Sequence, residues 1–248
     1  MLIESNQNIK IKKWAKLKQK KYRSQFQEYL VEGEHLVFEA LEAGIVKEIL
    51  IRENSESEFI KMISSKKNHY MIKEVLFNSL AMTETPQSVM AVCEMKSGDI
   101  KNRNRLLLLD RIQDPGNLGT LVRSAVAFGF DGIVLGEGCV DIYNEKVIRS
   151  TQGALFKIAI EQKKMFPYIQ KLKEEGVKVF GTSLENGQPL RTIQMSDKMA
   201  FLLGNEGQGV EERLLSETDQ NIFIEISKNT ESLNVSIAGS IIMHEFSQ

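Results

Sequence analysis

The chain has 248 residues, of which 42% are hydrophobic and 26% charged, and a formal net charge of −1. That is an ordinary globular composition with room for one large domain or two modest ones. It excludes a chain that binds nucleic acid through bulk charge alone. No run approaches the ~20 apolar residues that cross a bilayer, and Met1 to Trp14 lacks the apolar stretch of a signal peptide, so a cytoplasmic protein without a membrane partner is expected.

In chain order, the first feature is a basic run without an acid: Lys10, Lys12, Lys13, Lys16, Lys18, Lys20, Lys21 and Arg23. It reads equally well as a phosphate-contacting patch or as the solvated face of a helix. A small α/β unit follows: strand Gln25–Val31, amphipathic helix Glu34–Ala43 stopped by Gly44, strand Val46–Ile51, helix Glu58–Ser65 and strand Gln87–Met95. The polar stretch Lys96 to Arg105 marks a boundary. The expected domains are residues 1–98 and 106–248, joined by a linker at 99–105.

The remainder alternates. Strands are expected at Leu106–Leu109, Gly132–Leu135, Val177–Gly181, Ala200–Leu203 and Ile222–Ile226. Helices are expected at Leu118–Phe128, Asn144–Ala154, Pro167–Glu175, Val210–Ser216 and Asn234–Phe246. Apolar strands separated by helices imply an α/β domain with a parallel sheet covered on both faces, and ligands in such sheets bind at the carboxyl ends of strands. Cys93 and Cys139 form no C-x-x-C pair and read as small buried hydrophobes. His35, His69 and His244 have no ligand spacing, so no metal is expected.

Three polar loops stand where strands should end. In Asp114-Pro115-Gly116-Asn117, Pro115 and Gly116 turn the chain and Asn117 suits the N-cap of the next helix. Arg123 falls on the side of that helix away from its core face, and a guanidinium near a strand-end cleft can grip phosphate. Gly204-Asn205-Glu206-Gly207-Gln208-Gly209 lets backbone approach a ligand closely. Its carboxylate would repel an anion, so a neutral or cationic ligand, or an arginine partner, fits better. Its spacing is not the dinucleotide G-x-G-x-x-G, which argues against a nucleotide-dependent oxidoreductase. In Ser232-Leu233-Asn234-Val235, Ser232 or Asn234 can cap the last helix and Leu233 can wall a flat base.

Together these loops resemble the TrmH/SpoU branch of the SPOUT methyltransferases. The resemblance runs from about Leu106 to the C-terminus, through Asp114-Pro115-Gly116-Asn117-Leu118-Gly119 with Arg123, Gly204-x-Glu206-Gly207-x-Gly209 and Ser232-Leu233-Asn234-Val235-Ser236-x-Ala238. Phe26 to Ala40 resembles the small RNA substrate-binding domain that often precedes this catalytic domain. One departure is Glu225-Ile226-Ser227-Lys228, where many relatives carry Pro-Met-x-Gly.

The resemblance implies methyl transfer from S-adenosylmethionine to a ribose 2′-hydroxyl of RNA, a C-terminal trefoil knot, and a homodimer with the active site at the subunit interface. It implies catalytic roles for Arg123, Asn117, Glu206, Ser232 and Asn234. Glu206 would pair with Arg123 or fix its loop, and Asn117 and Asn234 would hold Arg123 or the ribose. Arg123 would act either as a base, which a pKa above ~12 makes awkward, or by gripping phosphate and stabilising the oxyanion. The cofactor would lie against Gly204, Gly207, Ile224 and Leu233, with Thr182 and Leu184 nearby. The N-terminal domain and the short tail favour ribosomal over transfer RNA. A protein that only binds RNA on this fold is the competing reading.

Overall fold

Runs of apolar residues decide where the sheets lie. The computed structural model describes residues 2–65, 68–96, 98–230 and 232–247. The chain divides into two compact units: residues 1–96 with 143–156, and 97–142 with 157–248. Ser97, inside the expected boundary stretch, lies outside the described residues.

The first unit contains β1 (Leu2–Ile3), α1 (Ile9–Lys16), α2 (Lys20–Phe26), β2 (Glu28–Glu32), α3 (Glu34–Glu42), β3 (Val46–Arg52), α4 (Glu58–Ser64), β4 (His69–Ile72), α5 (Glu74–Leu80) and β5 (Val89–Glu94). Its five-stranded sheet has the order β1-β4-β3-β5-β2. β1, β4 and β3 are parallel, whereas β5 runs antiparallel to both β3 and β2. In α1, Ile11 and Trp14 are buried, Lys12 and Lys16 are exposed, and Lys10 and Lys13 are half-buried. Trp14 is fully buried, and its Nε1 donates to Glu48 Oε2 at 2.8 Å. The strand expected from Gln25 starts later. Gln25 and Phe26 finish α2, and Gln27 turns the chain through a left-handed φ of 54°. Cys93 is buried in β5, and burial pushes its thiol pKa well up.

The second unit contains β6 (Arg105–Leu109), α6 (Pro115–Ala127) and β7 (Gly132–Leu135). The next helix, α7 (Glu145–Thr151), belongs to the first unit, contrary to its expected place in the second. The second unit resumes with β8 (Ala159–Gln162), α8 (Met165–Glu174), β9 (Lys178–Thr182), β10 (Gly187–Pro189), β11 (Met199–Leu203), α9 (Glu212–Leu215), β12 (Gln220–Phe223) and α10 (Val235–Glu245).

All neighbours in its seven-stranded sheet, ordered β10-β12-β9-β11-β6-β7-β8, are parallel. β6 and β11 are buried at every residue. Alternation splits them between two faces. Leu106, Leu108, Ala200 and Leu202 pack with Ile169 and Leu172 of α8 and Leu214 of α9. On the other face, Phe201 stacks on Phe246 at 4.9 Å, and Leu203 and Leu121 close on Gly239 of α10.

Two expectations change here. Residues 99–105, expected as a linker, belong to the second unit. Ile100 is 2% exposed within that unit's core. Its N–H donates to Glu161 Oε1 at 2.9 Å. A Cβ at Gly98 would stand 2.1 Å from Ile160 O. The cap of α6 is Asp114, which accepts from Asn117 N at 2.8 Å, with Pro115 opening the helix. Proline lacks an N–H and has a helical φ, so it takes the first helical position and moves the cap back to the preceding residue. Asn117 therefore has its side chain free for other work.

A Cβ at Gly239 would lie 2.4 Å from Leu121 Cδ2 and 2.7 Å from Leu203 Cδ1. Both leucines are buried, so neither can swing clear. Gly239→Ala is expected to lower unfolding stability by roughly 1–3 kcal/mol through overpacking, read by urea denaturation.

Candidate active site

β6 and β11 pair in register, with Leu109 opposite Leu203, and Asp110 N donates to Leu203 O at 2.8 Å. The loops after these strands therefore leave the sheet side by side. α6 leaves toward one face and α9 toward the other, which opens a crevice between them.

The glycine loop closes tightly. Asn205 and Gly209 exchange backbone hydrogen bonds at 3.0 and 2.9 Å. Asn205 Oδ1 accepts from Gly207 N at 3.0 Å and Gln208 N at 3.1 Å. A Cβ on Gly204 would fall 2.1 Å from Val210 N, so only hydrogen fits there.

Three expected site residues join directly. Asn117 Nδ2 donates to Glu206 Oε1 at 2.9 Å, and Asn234 Nδ2 donates to Asn117 Oδ1 at 3.0 Å. Asn234 Oδ1 caps α10 by accepting from Ser236 N at 2.9 Å and Ser236 Oγ at 2.7 Å. Each of the three loops contributes one member of this chain. Of the two roles expected for Glu206, pairing with Arg123 or fixing its loop, the first is not made within this chain: Glu206 bonds Asn117 and Asn205. Arg123 is exposed on α6, and among the described residues it makes no hydrogen bond or ion pair.

Beside the chain lies a cavity of about 770 Å³. Thr182, Leu184, Gly204, Gly207, Ile224 and Leu233, all expected at the cofactor, line it together with Glu206, Ser232 and Asn234. Asn117 reaches it only through its two hydrogen bonds, and Arg123 is not among its walls. The sequence reading missed Leu203, Ile222, Ile226 and Ala238, which supply apolar wall. Ordinary core periodicity hides Leu203 and Ile222, whereas Ile226 and Ala238 lie within the stretches compared with the family and could have been found there.

The charges on the wall are of one sign. Among the described residues, Glu185, Glu206 and Glu212 line the cavity and no Lys, Arg or His does. Such a lining suits a cation with a flat apolar part and repels a polyphosphate. The volume falls within the ~300–1,000 Å³ of small-molecule sites. S-adenosylmethionine, a sulfonium with an adenine ring, fits both properties. Among the described residues, no group of three or more His, Cys, Asp or Glu could hold a metal ion.

In the first unit the basic run is heterogeneous. Lys10 bonds Glu48, and this hydrogen bond raises the lysine's pKa despite partial burial. Lys13 pairs with Glu28 at 2.6 Å. Burial works to raise the pKa of Glu28, but Lys13 and Lys47 outweigh it and hold the carboxyl below its usual range. Lys18 Nζ donates to the carbonyls of Ser79 and Ala81 at 2.8 Å each. Arg23 is 6% exposed and donates to the carbonyls of Leu17 at 3.0 Å and Lys18 at 2.8 Å. Lys12 bonds Gln7. Lys16 and Lys21 flank the ring of Tyr22 at 5.3 and 5.7 Å, and Lys20 is exposed.

The sequence pattern described as SpoU rRNA Methylase family matches residues 104–244. The chain belongs to the SpoU rRNA methylase family. Residues 8–91 of this SpoU methylase match a second pattern, described as MRM3-like substrate binding domain. A 23S rRNA (guanosine(2553)-2′-O)-methyltransferase of Bacillus subtilis, RlmP, is 44% identical over 98% of this chain and 97% of its own length. The AdoMet-bound rRNA methyltransferase of Sinorhizobium meliloti superposes with a TM-score of 0.86 at 28% identity, covering 99% of this chain and 96% of that one. The SpoU methyltransferase AviRb of Streptomyces viridochromogenes, in complex with AdoMet, gives 0.85 at 25% identity, covering 96% and 97%.

Asn234→Asp keeps the capping oxygen but removes the amide donated to Asn117. The expected result is near-unchanged stability in urea with slower methylation, whereas Asn234→Ala also loses about 1 kcal/mol of stability. Equal stability losses in the two variants would show that capping does not separate from the hydrogen-bonded chain.

Proposed function

We propose that this SpoU-family methylase modifies ribosomal RNA, working in the cytosol as a homodimer whose sites are completed by Arg123. The chemistry is S-adenosylmethionine-dependent methyl transfer to a ribose 2′-hydroxyl of RNA. The observation that carries the site assignment is the hydrogen-bonded run Glu206–Asn117–Asn234 at the rim of an acid-lined cavity. The Bacillus subtilis relative acts on 23S rRNA, which supports a ribosomal over a transfer RNA target.

S-adenosylmethionine supplies an electrophilic methyl group when bound. Leu203, Ile224 and Leu233 provide apolar surface for a flat ring, and the loop from Gly204 to Gly209 brings its backbone close. Asn117, fixed at both ends of its amide, and Ser232 orient the ribose. Holding the nucleophile in line accounts for much of the acceleration. Arg123 grips an RNA phosphate and stabilises the negative charge left on the ribose oxygen as its proton passes to water, since a guanidinium keeps its own protons at neutral pH.

Arg123 stands outside the cavity of its own chain, which is why the dimer belongs to this reading. Its face of α6 also exposes Thr120 and Ala127. On α10, hydrogen-bonded to α6 through Ser124 and Ser240 at 2.7 Å, Ile237 is 51% and Ile241 38% exposed. Apolar side chains on paired helices support burial against a second copy. The trefoil knot implied by the family resemblance belongs to the same reading.

Arg123→Ala is expected to abolish turnover while leaving calorimetric S-adenosylmethionine binding largely intact. Near-wild-type turnover would remove Arg123 from the mechanism. For RNA capture by the first unit, replacing Lys16, Lys20 and Lys21 together with Ala is expected to weaken RNA binding. The salt slope should fall by about one for each phosphate no longer neutralised, with stability unchanged. Lys13→Ala, which leaves buried Glu28 with Lys47 as its remaining cation, should instead lower stability. RNA titrations at several salt concentrations, run beside urea melts, separate the two effects.

A further inference from the structure

We propose that Arg111 is a positioning residue for methyl transfer: its guanidinium latches the glycine loop to the end of β6 and so holds Glu206 where Asn117 meets it. The inference rests on the methylase reading above and deepens it.

Arg111 follows β6 and has a φ of 55°, a left-handed backbone that glycine adopts freely and residues with a Cβ resist. A residue with a long side chain stands there nonetheless, and that side chain is fully engaged. Its Nε lies 3.2 and 3.1 Å from Asp110 Oδ1 and Oδ2, and Nη2 lies 3.0 Å from Oδ2. On its far side Nη1 donates to Gln208 Oε1 at 2.8 Å and Nη2 to Gly209 O at 3.3 Å. Its carbonyl accepts from Asn205 Nδ2 at 3.0 Å. Asp110, 4% exposed, also accepts from Glu211 N at 3.1 Å. Both ends of the glycine loop are thus tied to one dipeptide.

The stem has a made-to-measure seat. Gly138, itself at φ +84°, leaves room where a Cβ would stand 3.0 Å from Arg111 Cγ. A planar fork can serve a carboxylate on one edge and two loop acceptors on the other at once, whereas a lysine's donors all stand on a single nitrogen and lack that span. Arg111 does not line the cavity, so it acts through the loop and not on bound molecules. Glu206 sits between the tied ends, and its bond to Asn117 depends on where the loop rests.

The test compares Arg111→Lys and Arg111→Gly with the unaltered protein. Lys keeps a cation beside Asp110 but cannot bridge to the loop, and Gly relaxes the backbone while removing the fork. Amide hydrogen exchange without donor or RNA is expected to speed up at residues 205–209 in both variants and to stay unchanged elsewhere in Arg111→Lys. kcat is expected to fall roughly tenfold or more, in line with small misplacements at reacting centres, with KM for RNA little changed. If Arg111→Gly does not fold, Arg111→Lys decides. Wild-type exchange at residues 205–209 in Arg111→Lys overturns the latch, and wild-type kcat overturns its role in catalysis. Failure of the unaltered protein to methylate the chosen RNA would count against the activity reading alone, because the exchange measurement needs neither substrate.

Discussion

The parallel pairing of β6 with β11 sets the geometry of everything at the candidate site. Residues far apart in sequence, Leu109 and Leu203, end their strands together. Leu106 to Leu109 and the whole of β11 are apolar because both faces are covered, and a shift of one residue would exchange the side chains fitted to the two packed faces. The register is therefore fixed by core packing, not by the loops. The loops inherit their adjacency from it, and Asn117 and Glu206 come within hydrogen-bonding distance as a result.

The hydrogen-bonded chain also links two kinds of work. Asn234 caps α10 through its oxygen and orders Asn117 through its nitrogen. Asn117 passes that order to the carboxylate of Glu206. Asparagine suits these positions because its amide offers an acceptor and donors in a fixed plane. The start of the last helix and the carboxylate at the cavity rim are thereby set by the same contacts.

Much of this was legible in the sequence, for physical reasons. Fully apolar strands such as Leu106–Leu109 and Ala200–Leu203 announce burial on both faces, and the three polar loops stand out because packing does not require them. What was missed has reasons too. β8 and β10 are short strands at the sheet's two ends, with mixed burial and no clear alternation. Asn117 was expected as a cap because Asn commonly is one, but Pro115 shifted the cap to Asp114. The helix Glu145–Thr151 was assigned by its neighbours in sequence, whereas clustering in space assigns it to the other unit. In the basic run, composition counts charges but not their partners. Several of those cations are held by Glu48, Glu28 and backbone carbonyls.

Gly204 carries a consequence for how this chain can vary. The glycine loop is largely exposed, and exposed loops ordinarily absorb substitutions and insertions. Here a single methyl group at Gly204 would collide with the backbone of Gly209 and Val210. Relief would require the loop to open, carrying Glu206 with it. Tolerance of added bulk therefore changes within a few residues of this bend: buried Gly204 refuses a methyl group, whereas one at exposed Gly207 would meet nothing closer than 3.7 Å.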